Sequence, residues 1–311
     1  MKNSIKVFAP ATVANVVCGY DVLGFAVNAP GDEVVMRITD TKGIKISKIT
    51  GDDGKLPLNP EKNTVSASVQ HYLNHIGRPD FGLDIELHKK MPIGSGLGSS
   101  SASTVAGLFA VNSLFDNLLT NKELVPFAMK GEELACGYGH ADNVAPALMG
   151  GFVPIRSYDP LDIISLPFPE DMHAAIVYPE VDVPTKDARQ MIRSKVLLKD
   201  AVTQWGNVAG LVSGLFMKDY DSIGRSMTDV LVEPTRAILI PDFYVLRQLA
   251  LSAGAIGFGI SGSGPSVFAL TKDAETANRI TEKLQGHLKS LAINSLSFVS
   301  EVNKKGPVIL D

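Results

Sequence analysis

Apolar and polar residues alternate in three short stretches of the first third of the chain: Ser4–Ala9, then Val34, Met36 and Ile38, then Leu83, Ile85 and Leu87. A period of two predicts half-buried strands, and the three are expected to share one sheet. The period then lengthens. Ala102, Val105, Ala106 and Phe109 fall on one face of a helix expected over Ser99–Phe115, and a second helix is expected over Asn121–Ala135. After Gly150-Gly151 come Pro154, Pro160, Pro167 and Pro169, punctuation that marks an expected division into domains 1–155 and 156–311. The second half predicts a strand at His173–Tyr178, helices near 185–195, 199–217 and 241–253, a strand at 266–271, a helix at 273–291 and a strand at 295–302. This order suggests α+β layers rather than a doubly wound parallel sheet.

The loop Pro92-Ile93-Gly94-Ser95-Gly96-Leu97-Gly98-Ser99-Ser100-Ser101 stands between an expected strand and an expected helix. Glycines there let backbone N–H groups approach an anion, and the helix start adds unsatisfied donors and positive partial charge. Phosphate is the natural guest, although a tight turn with a helix cap would use the same residues. It is not a P-loop, since no Gly-Lys-Ser/Thr follows. A second cluster, Gly257 to Gly264, holds a formal GxGxxG, but it follows an expected helix and precedes a strand, the reverse of a dinucleotide site. Its glycines imply backbone close to a ligand or to a neighbouring strand.

Asn15 and Asp21 lie among apolar residues and glycines, as do His140, Asp142 and Asn143; buried there, each needs a polar partner inside the protein or a polar ligand. Glu132 with Glu133, and Arg189 with Arg193, read by themselves as solvated helix faces. Arg236 interrupts an apolar stretch between Pro234 and Pro241, which would bury its stem and leave the guanidinium seeking a carboxylate or phosphate.

Composition narrows the classes further. The 311 residues are 45% hydrophobic and 20% charged, enough for a packed core, with 29 Lys+Arg against 33 Asp+Glu and no basic footprint for nucleic acid. Cys18 and Cys136 are too few and too far apart for a disulfide framework or a zinc cluster, which favours the cytoplasm. The first ten residues are too weakly apolar for a signal peptide, and no run of about 18 apolar residues predicts a membrane span.

Three segments together resemble the three signatures of the GHMP kinases, the small-molecule kinases of galactose, homoserine, mevalonate and phosphomevalonate. They are Pro10–Asn15 running on to Gly19-Tyr20-Asp21-Val22-Leu23-Gly24, the loop Pro92–Ala102, and Ser261–Pro265. With His140–Pro146 and Glu233–Arg236, the first segment resembles the homoserine-phosphorylating branch over essentially the whole chain. The resemblance implies a two-domain α+β fold, an N-terminal ribosomal-protein-S5-like domain and a C-terminal ferredoxin-like domain with ATP and substrate between them. It implies transfer of the γ-phosphoryl group of MgATP to the side-chain hydroxyl of L-homoserine, in threonine biosynthesis, by a homodimer.

Carried over by the resemblance, residues Pro92 to Ser101 would wrap the ATP phosphates, Ser100 and Glu132 would hold Mg2+, and Asn63 would line the adenine pocket. Asn15, Asp21, His140, Asn143, Thr185, Arg189, Arg236 and Gly262 would bind the amino acid, Asp21 facing its ammonium, Arg189 and Arg236 its carboxylate, and Asn143 its hydroxyl. Asn143 occupies the place where relatives such as mevalonate kinase carry an aspartate base, so no general base is assigned. Val13 stands where a serine is frequent, and Val16-Val17-Cys18 where Leu-Gly-Pro is frequent, so the first loop is expected to differ in backbone shape.

Overall fold

The computed structural model describes residues 3–181 and 191–310, without the side chains of Ala135 and Cys136. The first sheet joins β1 (Ser4–Ala14), β2 (Leu23–Ile38), β3 (Ile44–Thr50), β4 (Leu83–His88), β5 (Phe152–Tyr158), β6 (Leu161–Ile163) and β11 (Val308–Ile309) in the order β11-β1-β2-β4-β3, with β5 pairing β2 and β6. β3 and β4 run parallel and the other pairs antiparallel. Four helices pack with it: α1 (Thr64–His75), α2 (Ser99–Leu114), α3 (Asn121–Cys136) and α4 (Ala141–Met149). α2 is buried nearly all round, which fits its Ala-, Ser- and Gly-rich sequence between the sheet and the other helices.

β1 is longer than its alternation suggests because burial changes along it. From Ser4 to Phe8 alternate side chains are covered, whereas from Ala9 to Ala14 every residue is buried and the period disappears. The same burial on both faces hides the first half of β2, where Leu23 to Val27 are all covered. α4 was hidden differently, as an apolar run broken by Pro146.

The second sheet has the order β10-β7-β9-β8, built from β7 (His173–Pro179), β8 (Gly257–Ile260), β9 (Val267–Thr271) and β10 (Ser295–Glu301), all antiparallel. Two long helices, Leu198–Met217 and Ala274–Ser290, precede and follow the β8–β9 hairpin, the arrangement of a ferredoxin-like unit. The glycines of the second cluster are thus partly strand: β8 contains Gly257 and Gly259, so the cluster turns one strand into the next instead of joining helix to strand. The helix expected near 185–195 lies partly outside the described residues, and 191–197 are not helical. Residue 155 falls inside β5, and β11 returns to pair with β1. Val27 also bridges to Val302, so the two halves of the chain meet there.

Candidate active site

The loop after β4 turns through three left-handed glycines, Gly94, Gly96 and Gly98, the last of which directly precedes α2. Two of them are fixed by close approach as well as by φ. A Cβ on Gly98 would lie 2.1 Å from Thr12 Oγ1, and one on Gly96 would lie 2.5 Å from the Ser261 carbonyl oxygen. Thr12 N–H donates to the Leu97 carbonyl at 3.1 Å and Ser261 Oγ donates to the Gly96 carbonyl at 2.8 Å. The loop is therefore pinned by β1 on one side and by the β8–β9 turn on the other.

A cavity of about 440 Å³ lies over this loop, within the usual range for small-molecule sites. Ile93, Gly94, Ser95, Gly96, Gly98 and Ser99 to Ser101 line it, together with Asn63, Lys89, Glu132, Asn143 and Gly262. Pro92 and Leu97 shape the loop without lining the cavity, and Leu97 is fully buried. Asn63 borders the cavity, but its side chain caps α1: Oδ1 accepts from Val65 N–H at 3.0 Å and Nδ2 donates to the Pro57 carbonyl at 3.1 Å.

Glu132 reaches inward from α3, whereas its neighbour Glu133 pairs with Lys130 in solvent. Ser100 Oγ donates to Glu132 Oε1 at 2.9 Å, and burial pushes the Glu132 carboxyl above the ordinary range, against the opposing hydrogen bonds of Ser100 and Ser101 and the charge of Lys89. A hydroxyl and one carboxylate are hard oxygen donors suited to magnesium, which takes few protein ligands and completes its shell with substrate phosphates and water. No group of three His, Cys, Asp or Glu that could hold a metal ion occurs among the described residues.

Asn143 Oδ1, on α4, accepts from Thr12 Oγ1 at 2.8 Å. The Gly262 carbonyl accepts from both Asn15 Nδ2 and Arg236 Nη1, each at 2.9 Å, bringing three of the candidate residues together. Arg236 is 5% exposed and lies over the Tyr20 ring at 5.1 Å. Asn15, Tyr20, Arg236 and Gly262 line a second hollow of about 20 Å³, large enough for an end group but not for a whole amino acid. Gly262 borders both spaces. Asp21 faces His140, with Oδ1 3.8 Å from Nδ1, and its carbonyl accepts from the Tyr158 hydroxyl at 2.7 Å. Thr185 and Arg189 lie outside the described residues.

Beneath the loop is a polar cluster that motif reading missed. Lys89 pairs with Asp32 and donates to the Ser99 carbonyl at 2.8 Å and Ser103 Oγ at 2.7 Å; the lysine and aspartate side chains are 2% and 0% exposed. Burial pushes the Lys89 ammonium below the ordinary lysine range, and Asp32 opposes that shift. Periodicity carries the signal that could have found it. Lys89 continues the buried phase of Leu83, Ile85 and Leu87, and Asp32 precedes Val34 and Met36 in theirs.

The left-handed glycine loop that opens a buried helix, beside a hydroxyl–carboxylate pair and a cavity bordered by Gly262 and Ser263 of the β8–β9 turn, has the features of a small-molecule kinase site. Residues 63–151 match the family model for the GHMP kinases N terminal domain, and 210–290 match that for the GHMP kinases C terminal. The chain is 47% identical to the homoserine kinase of Chlorobium phaeovibrioides, over 99% of each chain. It is 46% identical to that of Chlorobium phaeobacteroides, over 97% of this chain and 98% of the relative. A crystal structure of homoserine kinase from Cytophaga hutchinsonii superposes with a TM-score of 0.97 at 57% identity, covering 100% of this chain and 98% of that one. L. major mevalonate kinase in complex with R-mevalonate shares the fold, with a TM-score of 0.72 at 16% identity, over 97% of this chain and 98% of that one. The chain belongs to the homoserine kinases, a branch of the GHMP kinases.

Proposed function

We infer that this enzyme transfers the γ-phosphoryl group of ATP to the side-chain hydroxyl of L-homoserine, forming O-phospho-L-homoserine for threonine biosynthesis. The observation that carries the site assignment is the shared border at Gly262. The cavity above the phosphate loop and the hollow beside Arg236 meet there, so a nucleotide and an amino acid would be held end to end. Backbone N–H groups of the Gly94–Ser101 turn and the start of α2 would bind the phosphates. Ser100 and Glu132 would hold Mg2+, which supplies positive charge to neutralise the phosphate oxygens. Arg236 would pair with the substrate carboxylate, Asn15 and Asp21 would orient its ammonium end, and Asn143 would position the hydroxyl.

Glu132 is the sole carboxylate among the described residues lining the cavity; in the hollow Asp229 is held by backbone N–H groups and Glu233 by Arg247, and an amide such as Asn143 does not accept a proton at neutral pH. Alignment and charge stabilisation then supply the rate, as a loose phosphoryl-transfer transition state allows. Arg236→Ala is expected to raise KM for homoserine roughly 10- to 100-fold, the worth of a charge-assisted hydrogen bond, with KM for ATP little changed. Steady-state ADP release measures both constants, and an unchanged homoserine KM would remove Arg236 from the site.

No helix among the described residues is long and apolar enough to cross a membrane. We place the enzyme in the cytoplasm, where the free, buried Cys18 thiol would stay reduced. As its own partner we propose a second copy, docked through the outer stripe of the helix Leu198–Met217. Leu198, Val202, Trp205, Phe216 and Met217 form that stripe, continued by Val196 and Leu197, and Trp205 is 62% exposed. Their area is on the order of the 800 Å² per partner that a specific dimer needs. One end is net basic, with Arg193, Lys195 and Lys199 against Asp200; the other is net acidic, with Asp219 and Asp221 against Lys218. Antiparallel pairing about a two-fold axis sets these ends opposite each other. Sedimentation should show a dimer for the parent and a monomer for Trp205→Glu; a monomeric parent would contradict the pairing.

A further inference from the structure

Gln204 lies on the helix Leu198–Met217, is 6% exposed, and lines neither of the two spaces. Its carboxamide is used at both ends. Nε2 donates to the Cys18 carbonyl at 2.8 Å, and Oε1 accepts from Val230 N–H at 3.0 Å. These backbone groups belong to segments far apart in sequence and adjacent in the site. Cys18 sits between Asn15 and Asp21. Val230 leads into the short helix Glu233–Arg236, and the approach to it is held by Asp229, which accepts from the N–H groups of Leu231, Val232 and Glu233.

The first of these segments has reason to need a brace. Asn15, Val16 and Val17 have φ of 72°, 39° and 63°, and two of them are β-branched. Such backbone is strained and persists only where its surroundings over-determine it. Gly259 makes room for the Val17 side chain, since a Cβ there would lie 2.5 Å from Val17 Cγ2. Asn15 Nδ2 and Gly262 N–H tie the loop to the β8–β9 turn. Gln204 ties this loop by hydrogen bonds to the segment that carries Arg236, beside the contact of Arg236 with the Tyr20 ring. A planar amide suits the place because it offers a donor and an acceptor at fixed spacing, which neither a carboxylate nor an ammonium does.

We propose that Gln204 is a positioning residue for the acceptor amino acid: its amide sets the spacing between the loop of Asn15 and Asp21 and the turn of Arg236, and so tunes homoserine affinity without touching it. The proposal rests on the homoserine kinase reading above. Gln204→Met keeps the volume and removes both bonds. It is expected to raise KM for homoserine about tenfold while KM for ATP stays within about twofold, the size of effect two buried hydrogen bonds provide. Asn112→Ala serves as the comparison, because it removes another buried amide, bonded to Leu119 and Tyr72 away from the cleft. That variant should lower Tm with both KM values unchanged.

Hydrogen exchange supplies a readout independent of the substrate. In Gln204→Met, amides of 15–21 and of 228–233 should lose protection together. Should that variant fail to fold, Gln204→Glu keeps the acceptor for Val230 and loses the donor to Cys18, and the same homoserine-selective change is expected. An unchanged homoserine KM, an equal rise in both KM values, or deprotection of one segment alone would overturn the proposal. A parent enzyme that ignores homoserine would overturn the functional reading, while joint deprotection would still support the brace.

Discussion

Replacing Glu132 by Gln is expected to lower kcat about 10³-fold, at the upper end of what removal of one electrostatic contact costs an active site. The substitution keeps the shape of the side chain and its capacity to accept from Ser100, and removes only the negative charge. Glu132 is 6% exposed and contacts the first turn of α2, beside the glycine turn. An ionisable group in so dry a place costs stability unless a ligand makes use of it. Rapid-quench or steady-state assays at saturating ATP and homoserine give kcat directly, and a value within threefold of the parent would remove Glu132 from metal binding.

The same residue predicts a pH effect in the protein without nucleotide or metal. Its folded-state pKa is raised by burial, so its protonated form is favoured in the fold. Its contribution is therefore fully present below the unfolded carboxylate pKa and is lost as pH rises through the raised folded value. Glu132→Gln escapes this loss. Thermal melts should show the variant gaining on the parent from acid toward neutral pH, with the difference in Tm vanishing at the acid end. A difference independent of pH would mean that Glu132 is not desolvated.

Replacing Lys89 by Met is expected to destabilise the fold by about 3–5 kcal/mol, the cost of leaving a buried partner charge uncompensated. Asp32 would keep the Lys90 N–H at 2.9 Å and the Ser103 hydroxyl at 2.8 Å, but lose its counter-charge in a site with no solvent. The Ser99 carbonyl, in the first turn of α2, would lose the Lys89 donor as well and keep the Ser103 hydroxyl within reach at 3.1 Å. Adding Asp32→Asn should restore most of the loss, because the charge that made it costly is then gone. Denaturant melts of the two single variants and the double variant test this. Additive losses would show that the pair is not a coupled unit. Lys89 thus supports the glycine loop from below, with its donors already committed to protein acceptors.

What could be read from the sequence depended on how each residue's burial was printed in its neighbours. The glycine turn was legible because left-handed backbone favours glycine at Gly94, Gly96 and Gly98, and at Gly96 and Gly98 the neighbouring backbone and side chain also leave no room for a Cβ. The helices Leu198–Met217 and Ala274–Ser290 matched their expected ranges to within a residue at each end, because one covered face gives a clear period. Burial on both faces erased that period in the second half of β1, which carries Thr12, and Pro146 masked α4, which carries Asn143. Glu132 and Lys89 each adjoin an identical, exposed residue, Glu133 and Lys90, and composition cannot tell the two members apart. Phase could have separated the lysines. Gln204 left no such mark, since both of its partners are backbone groups, at Cys18 and Val230, and backbone contacts write no residue preference into the chain.

The most direct test of the central claim is ADP release by the purified full chain with MgATP, comparing L-homoserine with mevalonate, galactose, L-serine and L-threonine, each with and without EDTA. Turnover with homoserine that far exceeds the others and is abolished by EDTA is the predicted result. Turnover with a different compound, or none with homoserine, would contradict the assignment of the acceptor site, and turnover that survives EDTA would contradict the role given to Ser100 and Glu132.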